Sequence, residues 1–475
     1  MRRLGLPVTL ALLLSSCGSG HSTFAAGPKK PNVLFIIVDD LTTTLSCYGD
    51  KLAKTPHMDA LAARGVRFDR AYCQFPLCSP ARASFLTGCY PERTKVLSLN
   101  QSFRDALPDV VTLPELFQHA GYATGAIGKV FHGGGAKTKL DVQLGAPLGK
   151  DTAILVEAKA ANDPEDKPTA KARGESYNRA YAASARPDAD FTDYEIASRA
   201  MRTLEEFKDR PFMLTVGFIR PHSPYVAPQA YFDRIDAPRM TLPPFYRAAG
   251  EDLALMPKAA LRPNNNVFSR QAPTPQQARD ARQAYLASTA FVDAQVGRVL
   301  AKLKELHLEE NTIVLLTGDH GYQLGEHGLW AKQTLFEGAT HVPLIVAAPG
   351  VKPAVCAGLV EQVDILPTLA GLAGLEVPKT AQGRTLQPLL QDPSARGREV
   401  VFGTMVSTHT KLIGHSVRTE RFRYIEWDEG RAGQQLYDYQ TDPDELHNLA
   451  DKPAQAERIA HLKSRLAAHL KAMEL

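Results

Sequence analysis

The sequence predicts an α/β fold, in which a mostly parallel central sheet is flanked by helices and followed by a smaller antiparallel sheet with a helix. Short apolar runs alternate with helical patterns over most of the chain, and the pattern changes after about residue 375. A length of 475 residues is also enough for one large α/β domain with an appendage. We therefore expect an export segment at 1–26, a large domain at 31–375 and a C-terminal subdomain at 376–475.

Five apolar runs are the predicted strands of the large sheet. Residues 33–38 are apolar at every position, which is typical of a strand buried on both faces. The other runs are 123–127, 212–218, 312–317 and 342–347. A long amphipathic helix is expected before residue 312, because apolar residues recur there at intervals of three and four. Its apolar residues are Val292, Val296, Val299, Leu303 and Leu306.

The remaining segments are less regular. Residues 133–190 are poor in large apolar side chains, which predicts a surface insertion, and the Pro- and Asn-rich stretch 239–280 is a predicted loop. The segments 415–427 and 435–439 are predicted antiparallel strands, and 454–475 is a predicted amphipathic helix.

The N-terminus has the features of an export signal. Arg2 and Arg3 precede an apolar run, 4–14, that is far shorter than the roughly 20 residues a membrane-spanning helix needs. The following Leu-Ser-Ser-Cys17 resembles a bacterial lipobox, which predicts that Cys17 is lipidated and that the protein is a periplasmic or cell-envelope lipoprotein. The alternative is an ordinary cleaved signal and a secreted protein. Contact with a membrane is expected only through the lipid anchor.

Charge and cysteine content narrow the function classes. The chain has 55 basic and 51 acidic residues and a net charge of +4, which excludes a strongly basic nucleic-acid-binding protein. Six cysteines are too few for a disulfide scaffold, and they show no zinc-binding spacing. The simplest interpretation of Cys73 and Cys78 in an exported protein is a disulfide.

Polar residues follow four of the predicted strands where each strand ends. They are Asp39 and Asp40, Lys129 and His132, Arg220 and His222, and Asp319 and His320. In open α/β sheets the ligand crevice lies at the carboxyl ends of the strands, so we expect these side chains to meet.

The acidic members of this set predict a metal site. The adjacent carboxylates of Asp39 and Asp40 repel each other unless a cation lies between them, and Asp319 and His320 add two further ligands. Mostly oxygen ligands suit Ca²⁺ or Mg²⁺ better than zinc. Cys78 does not fit, because a thiolate is a soft ligand; an aldehyde at this position would remove the mismatch, since its hydrate offers two oxygens.

A Cys-x-Pro-x-Arg motif with a later Thr-Gly is formed by Cys78, Pro80, Arg82, Thr87 and Gly88. In this motif the sequence resembles the type I sulfatases of the alkaline-phosphatase superfamily. The resemblance spans roughly residues 31–450, and 128–132 with 319–332 are most similar to the iduronate-2-sulfatase branch.

The resemblance implies an alkaline-phosphatase-like fold and hydrolysis of sulfate esters on sulfated carbohydrates. Its branch implies removal of a 2-O-sulfate from a uronic acid in a glycosaminoglycan or another sulfated polysaccharide. It further implies that a separate maturation enzyme oxidises Cys78 to formylglycine. One Ca²⁺, with Mg²⁺ as the alternative, would then be held by Asp39, Asp40, Asp319, His320 and the modified residue 78.

The resemblance also implies roles for the other polar residues. Arg82 and Lys129 would stabilise the hydrated aldehyde, and His222 and Lys332 would bind the sulfate oxygens. For turnover we expect His222, assisted by Lys332, to protonate the leaving alcohol and His132 to accept a proton when sulfate is released. Separately, Tyr322, Gln323 and Trp330 are candidates for shaping the sugar pocket.

Two other functions remain possible from the sequence. A phosphodiesterase or phosphonate monoester hydrolase can use the same scaffold and the same modified cysteine. An inactive carbohydrate-binding lipoprotein, with Cys73 and Cys78 in a structural disulfide, is the alternative outside enzymes.

Overall fold

The structure is a computed structural model that describes residues 1, 30–132, 138–147, 151, 154, 181–244, 256–262, 267–268 and 273–473. The predicted export segment with Cys17 and most of the predicted insertion at 133–190 lie outside the described residues.

Fourteen strands are present in the described part of the chain. They are β1 Asn32–Val38, β2 Val66–Tyr72, β3 Ala123–Gly128, β4 Val142–Leu144, β5 Tyr181–Ser184, β6 Phe212–Phe218, β7 Tyr225–Pro228, β8 Thr312–Gly318, β9 His341–Ala347, β10 Ala354–Glu361, β11 Val400–Val406, β12 Ile413–Thr419, β13 Phe422–Trp427 and β14 Gln434–Asp438. Eight of them form the central sheet in the order β10-β2-β9-β8-β1-β6-β3-β4. All neighbours in it pair in parallel except β9, which is antiparallel to both β2 and β8.

The longer helices are α1 Pro56–Ala62, α2 Cys78–Thr87, α3 Leu113–His119, α4 Thr192–Phe207, α5 Pro275–Glu305, α6 Ile365–Leu372 and α7 Ala456–Met473. Shorter helical turns are Pro91–Thr94, Phe103–Ala106, Gln229–Phe232, Glu337–Thr340 and Gln387–Gln391. No helix within the described ranges combines the length and the apolar character that crossing a membrane would require.

Helices cover both faces of the central sheet. Alternate residues of β1, such as Phe35, pack on one face with Phe85 of α2 and Phe117 of α3. The residues between them, such as Ile36, pack on the other face with side chains of α4 and with Val292 of α5. All seven residues of β1 are buried, as the continuous apolar run predicts.

The C-terminal part is an antiparallel sheet, β11-β12-β13-β14, with α7 packed against it. Leu462 and Leu466 of α7 lie among Val417, Tyr424 and Leu436 of this sheet. This arrangement and the mostly parallel central sheet confirm the predicted fold class.

Several details differ from the prediction. The run 342–347 forms a strand but runs antiparallel. Six strands of the described chain were not predicted: β2, β4, β5, β7, β10 and β11. The predicted loop 239–280 ends earlier, because α5 begins at Pro275, where the Thr274 hydroxyl accepts a hydrogen bond from the Gln277 amide at 3.2 Å.

Candidate active site

The carboxyl ends of four neighbouring strands bring most of the predicted polar residues to one edge of the sheet. β8, β1, β6 and β3 lie side by side and parallel, so their last residues are adjacent. The residues that follow these ends are Asp319 and His320, Asp39 and Asp40, His222, and Lys129 with His132. Of the predicted set, Arg220 alone turns elsewhere: its guanidinium forms a buried ion pair with Asp151.

Three carboxylates and an imidazole form the centre of this edge. Asp39, Asp40, Asp319 and His320 are 0% exposed. One ligand atom each of Asp39, Asp319, His320 and Cys78 lie within 4.8 Å of one another. Nδ1 of His320 donates to the carbonyl oxygen of the next residue at 2.8 Å, so Nε2 faces this centre, 3.4 Å from Asp40 Oδ1.

Cys78 is the first residue of α2 and touches the acidic centre. It is 2% exposed, and its Sγ lies 3.4 Å from Asp39 Oδ1, 3.3 Å from His320 Nε2 and 3.2 Å from Lys332 Nζ. Burial and Asp39 raise the pKa of this thiol, but Lys129, Lys332 and His320 outweigh them and hold the pKa well below its usual value. The surroundings of residue 78 therefore favour an anionic group.

Arg82 lies one helical turn after Cys78 on α2. Its Nε donates to Asp319 Oδ2 at 3.0 Å, and its Nη2 lies 2.9 Å from the same oxygen and 3.6 Å from Asp39 Oδ1. Burial lowers the pKa of this guanidinium, but the two carboxylates raise it by more, so the net pKa lies above its usual value. Arg82 therefore stays charged although it is only 1% exposed.

Two lysines complete the positive side of the site. Lys129 Nζ donates to Asp39 Oδ2, and Lys332 Nζ donates to Asp40 Oδ1 at 2.6 Å. Burial lowers the pKa of each lysine, whereas its carboxylate partner raises it, and the net pKa of both lies above the usual value. Burial alone would raise the pKa of Asp39, but the cations around it hold that pKa well below its usual value.

The two remaining predicted histidines lie at the margin of the cluster. A ring nitrogen of His222 lies within 4.8 Å of ligand atoms of Asp40 and Cys78, and its Nδ1 donates to the Ser223 carbonyl at 2.7 Å. His132 is half-buried, and its Nδ1 has no hydrogen-bond partner among the residues that the structure describes. Burial and Lys129 lower the pKa of His132, so its ring is neutral at neutral pH.

The acidic centre fits a hard divalent cation. Oδ2 of Asp40 is buried and has no hydrogen-bond partner in the described part of the chain. Burial and Asp39 raise the pKa of Asp319 to about 7, because three carboxylates share one buried space. Carboxylate oxygens suit Ca²⁺ or Mg²⁺, and residue 78 departs from this donor set only while it is a thiol.

The predicted disulfide is not formed, whereas the predicted sugar-pocket residues stay a prediction. Tyr322, Gln323 and Trp330 are at most 2% exposed, the Tyr322 hydroxyl donates to the Trp330 carbonyl at 2.9 Å, and Tyr322 and Gln323 line a cavity beside Thr42. Cys73 and Cys78 are both free thiols, which removes the disulfide that the inactive-lipoprotein alternative needed.

One contact at the site could not be predicted from the sequence. Nη1 of Arg262 donates to the Lys332 carbonyl and to Gln333 Oε1, each at 2.6 Å. Arg262 lies in a stretch predicted to be a loop, 70 residues away from Lys332 in the sequence. Only the folded chain brings the two together.

Comparisons with known proteins agree with this geometry. The sequence model of the family described as Sulfatase matches residues 31–375, and that of N-sulphoglucosamine sulphohydrolase, C-terminal, matches residues 325–472. The chain is 30% identical over 531 residues to iduronate 2-sulfatase of Mus musculus, covering 93% of this chain and 94% of the relative. It is 33% identical over 451 residues to a sulfatase of Formosa agariphila, covering 92% of this chain and 86% of the relative.

A solved structure shares the fold. The phosphonate monoester hydrolase from Silicibacter pomeroyi has a TM-score of 0.76 and 24% identity, covering 92% of this chain and 95% of that chain.

Buried carboxylates and cations at the strand ends of a mostly parallel sheet fit a hydrolase that acts on an anionic ester. The chain belongs to the sulfatase family, and its activity is the hydrolysis of sulfuric esters.

Proposed function

We propose that this sulfatase removes sulfate from sulfated glycans, and that its substrates are 2-O-sulfated uronic acids. Three cations surround residue 78, namely the buried Arg82 and Lys332 and the half-buried Lys129, and they carry the proposal for the sulfate ester. Fixed positive charge in a desolvated pocket stabilises the oxygens of a sulfate ester during hydrolysis. The 30% identity to an iduronate 2-sulfatase over nearly the whole chain supports the 2-O-sulfated uronate.

Residue 78 would act as formylglycine in the mature protein. Its hydrate would supply the nucleophilic hydroxyl for attack on sulfur and a second hydroxyl that allows sulfate to leave. The position of Cys78 among carboxylates and cations supports this proposal, because oxygens suit these neighbours better than sulfur. Arg82 and Lys129 would hold the hydrate in place through their charge.

Asp39, Asp40, Asp319 and His320 would hold one Ca²⁺ together with residue 78. When bound, the ion would supply Lewis-acid stabilisation of charge at the nucleophile and at the sulfate group. The unpartnered Oδ2 of Asp40 and the buried, mostly oxygen donor set support this assignment.

The remaining groups would bind sulfate and move protons. Lys332 Nζ, fixed 2.6 Å from Asp40 Oδ1 and 3.2 Å from residue 78, would bind a sulfate oxygen without a large rearrangement. His222 would protonate the leaving alcohol through Nε2, since its Nδ1 is engaged with the Ser223 carbonyl. His132 would take up a proton when sulfate departs, and its lowered pKa keeps it neutral for that task.

Processing and location are part of the proposal. A separate maturation enzyme would convert Cys78, the export segment at 1–26 would direct the chain to the cell envelope, and lipidation of Cys17 would anchor it there. The division into a catalytic domain at 31–375 and a C-terminal subdomain at 376–475 also stays a prediction.

Sulfate release from a panel of defined oligosaccharides tests the substrate. Each member carries one sulfate, at O2 of a uronic acid or at N2, O3 or O6 of the neighbouring sugar. We expect release from the 2-O-sulfated uronate at a rate that exceeds the others by at least about 100-fold, because one lost charged contact changes rates by 10²–10³. Release from the other positions alone would reject the uronate and leave the sulfatase class intact.

A further inference from the structure

The backbone of Asp40 has a left-handed conformation that its surroundings hold in place. Its φ is +59°, in the left-handed region that L-residues other than Asn and Asp rarely adopt. Asp40 is the second residue after β1, whose residues are regular and buried. The chain therefore changes direction sharply at the residue whose carboxylate enters the acidic centre.

The backbone polar groups around this bend are bonded to two other elements. The Asp40 amide donates to Asp319 Oδ1 at 3.1 Å. The Tyr285 hydroxyl donates to the Asp40 carbonyl at 2.7 Å and accepts from the Thr42 amide at 3.0 Å. One phenol oxygen thus bridges the carbonyl and the amide on either side of Leu41 and closes the bend.

The phenol that makes this bridge is itself fixed. Tyr285 lies within the 31-residue helix α5 and is 0% exposed. Its ring packs edge-on against Tyr225, with centroids 5.4 Å apart, and is stacked on Tyr322 at 6.4 Å. A hydroxyl on such a ring has little freedom, so it restrains the Asp40 carbonyl rather than following it.

The direction of the Asp40 carboxylate depends on this restraint. In the observed conformation Oδ1 lies 3.4 Å from His320 Nε2, and Oδ2 is buried without a hydrogen-bond partner among the described residues. If the carbonyl were released, the backbone could relax towards negative φ and the carboxylate would turn away from the other carboxylates.

We propose that Tyr285 is a positioning residue for the cation site: its hydroxyl holds Asp40 in the left-handed conformation that directs the carboxylate at the ion. This inference rests on the proposed calcium site. Groups that orient a metal ligand typically contribute 10–100-fold to metal affinity, and this sets the expected effect.

The test is calcium titration by calorimetry of the full chain after removal of metal with EDTA. Tyr285→Phe should bind Ca²⁺ about 10–100-fold more weakly than wild type. Tyr231→Phe is the matched control. Tyr231 is 5% exposed and packs on Phe291 of α5, and the substitution removes a 2.6 Å hydrogen bond from its hydroxyl to Asp188. Its calcium affinity should stay within about twofold of wild type, since this phenol has no contact with Asp40.

Two further variants test the inference if Tyr285→Phe folds poorly. 4-Methylphenylalanine at 285 fills the space of the hydroxyl without donating, and 4-aminophenylalanine keeps a donor for the Asp40 carbonyl. We expect weak calcium binding with the first and near-wild-type binding with the second. Equal affinity of wild type and the variants that lack the donor would overturn this inference alone. Absence of calcium binding by wild type would overturn it together with the proposed calcium site.

Discussion

Removal of the Lys332 charge is predicted to damage both catalysis and stability. Nζ of Lys332 lies 2.6 Å from Asp40 Oδ1 and 3.2 Å from Cys78 Sγ, and the side chain is 7% exposed. Lys332→Met keeps the length of the side chain and deletes its charge. Loss of one such preorganised donor should lower kcat/KM about 10²–10³-fold, or roughly 3–4 kcal/mol of transition-state stabilisation.

The effect on stability follows from the ion pair that the substitution breaks. Without Lys332 the Asp40 carboxylate is buried and has lost its ammonium partner, and breaking a buried pair in this way costs about 3–5 kcal/mol. Calcium would replace part of the lost positive charge. The loss in free energy of unfolding should therefore be larger in EDTA than at saturating Ca²⁺.

The effect on kcat/KM is measured by hydrolysis of an aryl sulfate, and the effect on stability is measured by urea unfolding. Each assay is run in EDTA and in Ca²⁺. Lys208→Met is the control, because Lys208 forms an exposed pair with Glu205 and should be neutral in both assays. If kcat/KM of Lys332→Met stayed within about threefold of wild type, Lys332 would have no part in sulfate binding or leaving-group departure.

Three further predictions concern specificity, maturation and pH. An aryl sulfate should be hydrolysed faster than the matching aryl phosphodiester in parallel assays; the reverse order would favour the phosphonate hydrolase alternative. Incubation of folded, unmodified protein with a maturation enzyme should leave Cys78 a thiol by mass spectrometry, because Cys78, Pro80 and Arg82 are buried, and efficient conversion would contradict this. Burial raises the pKa of Asp293 to about 7, so folding stability should fall as the pH rises from about 4 to about 7. The stability of wild type relative to Asp293→Asn should then decrease by about 3 kcal/mol between pH 5 and 8, measured by urea unfolding, and a constant difference would refute it.

Features that depend on local pattern could be predicted from the sequence. The continuous apolar run of β1 and the spacing along α5 each mark a buried element directly. The polar residues at strand ends cluster because parallel neighbours end at one edge of a sheet, so Asp39 and Asp319 could be placed together without contact information.

Features that depend on tertiary contacts could not be predicted. An apolar run does not show in which direction its strand pairs, so the antiparallel pairing of β9 could not be predicted from the sequence. β2 was missed because its sequence, Val-Arg-Phe-Asp-Arg-Ala-Tyr, carries three charges and its alternation of buried and half-buried positions breaks at Arg70, where the pairing register shifts. Tyr285 is one of many buried residues of α5, and only the folded chain shows its hydroxyl at the Asp40 carbonyl.

The chemical identity of residue 78 decides whether the protein hydrolyses sulfate esters through formylglycine. Protein produced in a host with a maturation enzyme and purified by aryl-sulfatase activity would be digested, and the peptide that contains residue 78 examined by mass spectrometry. We expect an aldehyde at this position, lighter than the thiol by the difference between a CH₂SH and a CHO group and reactive with a hydrazide. Full activity in a preparation whose residue 78 is entirely unmodified cysteine would contradict this expectation.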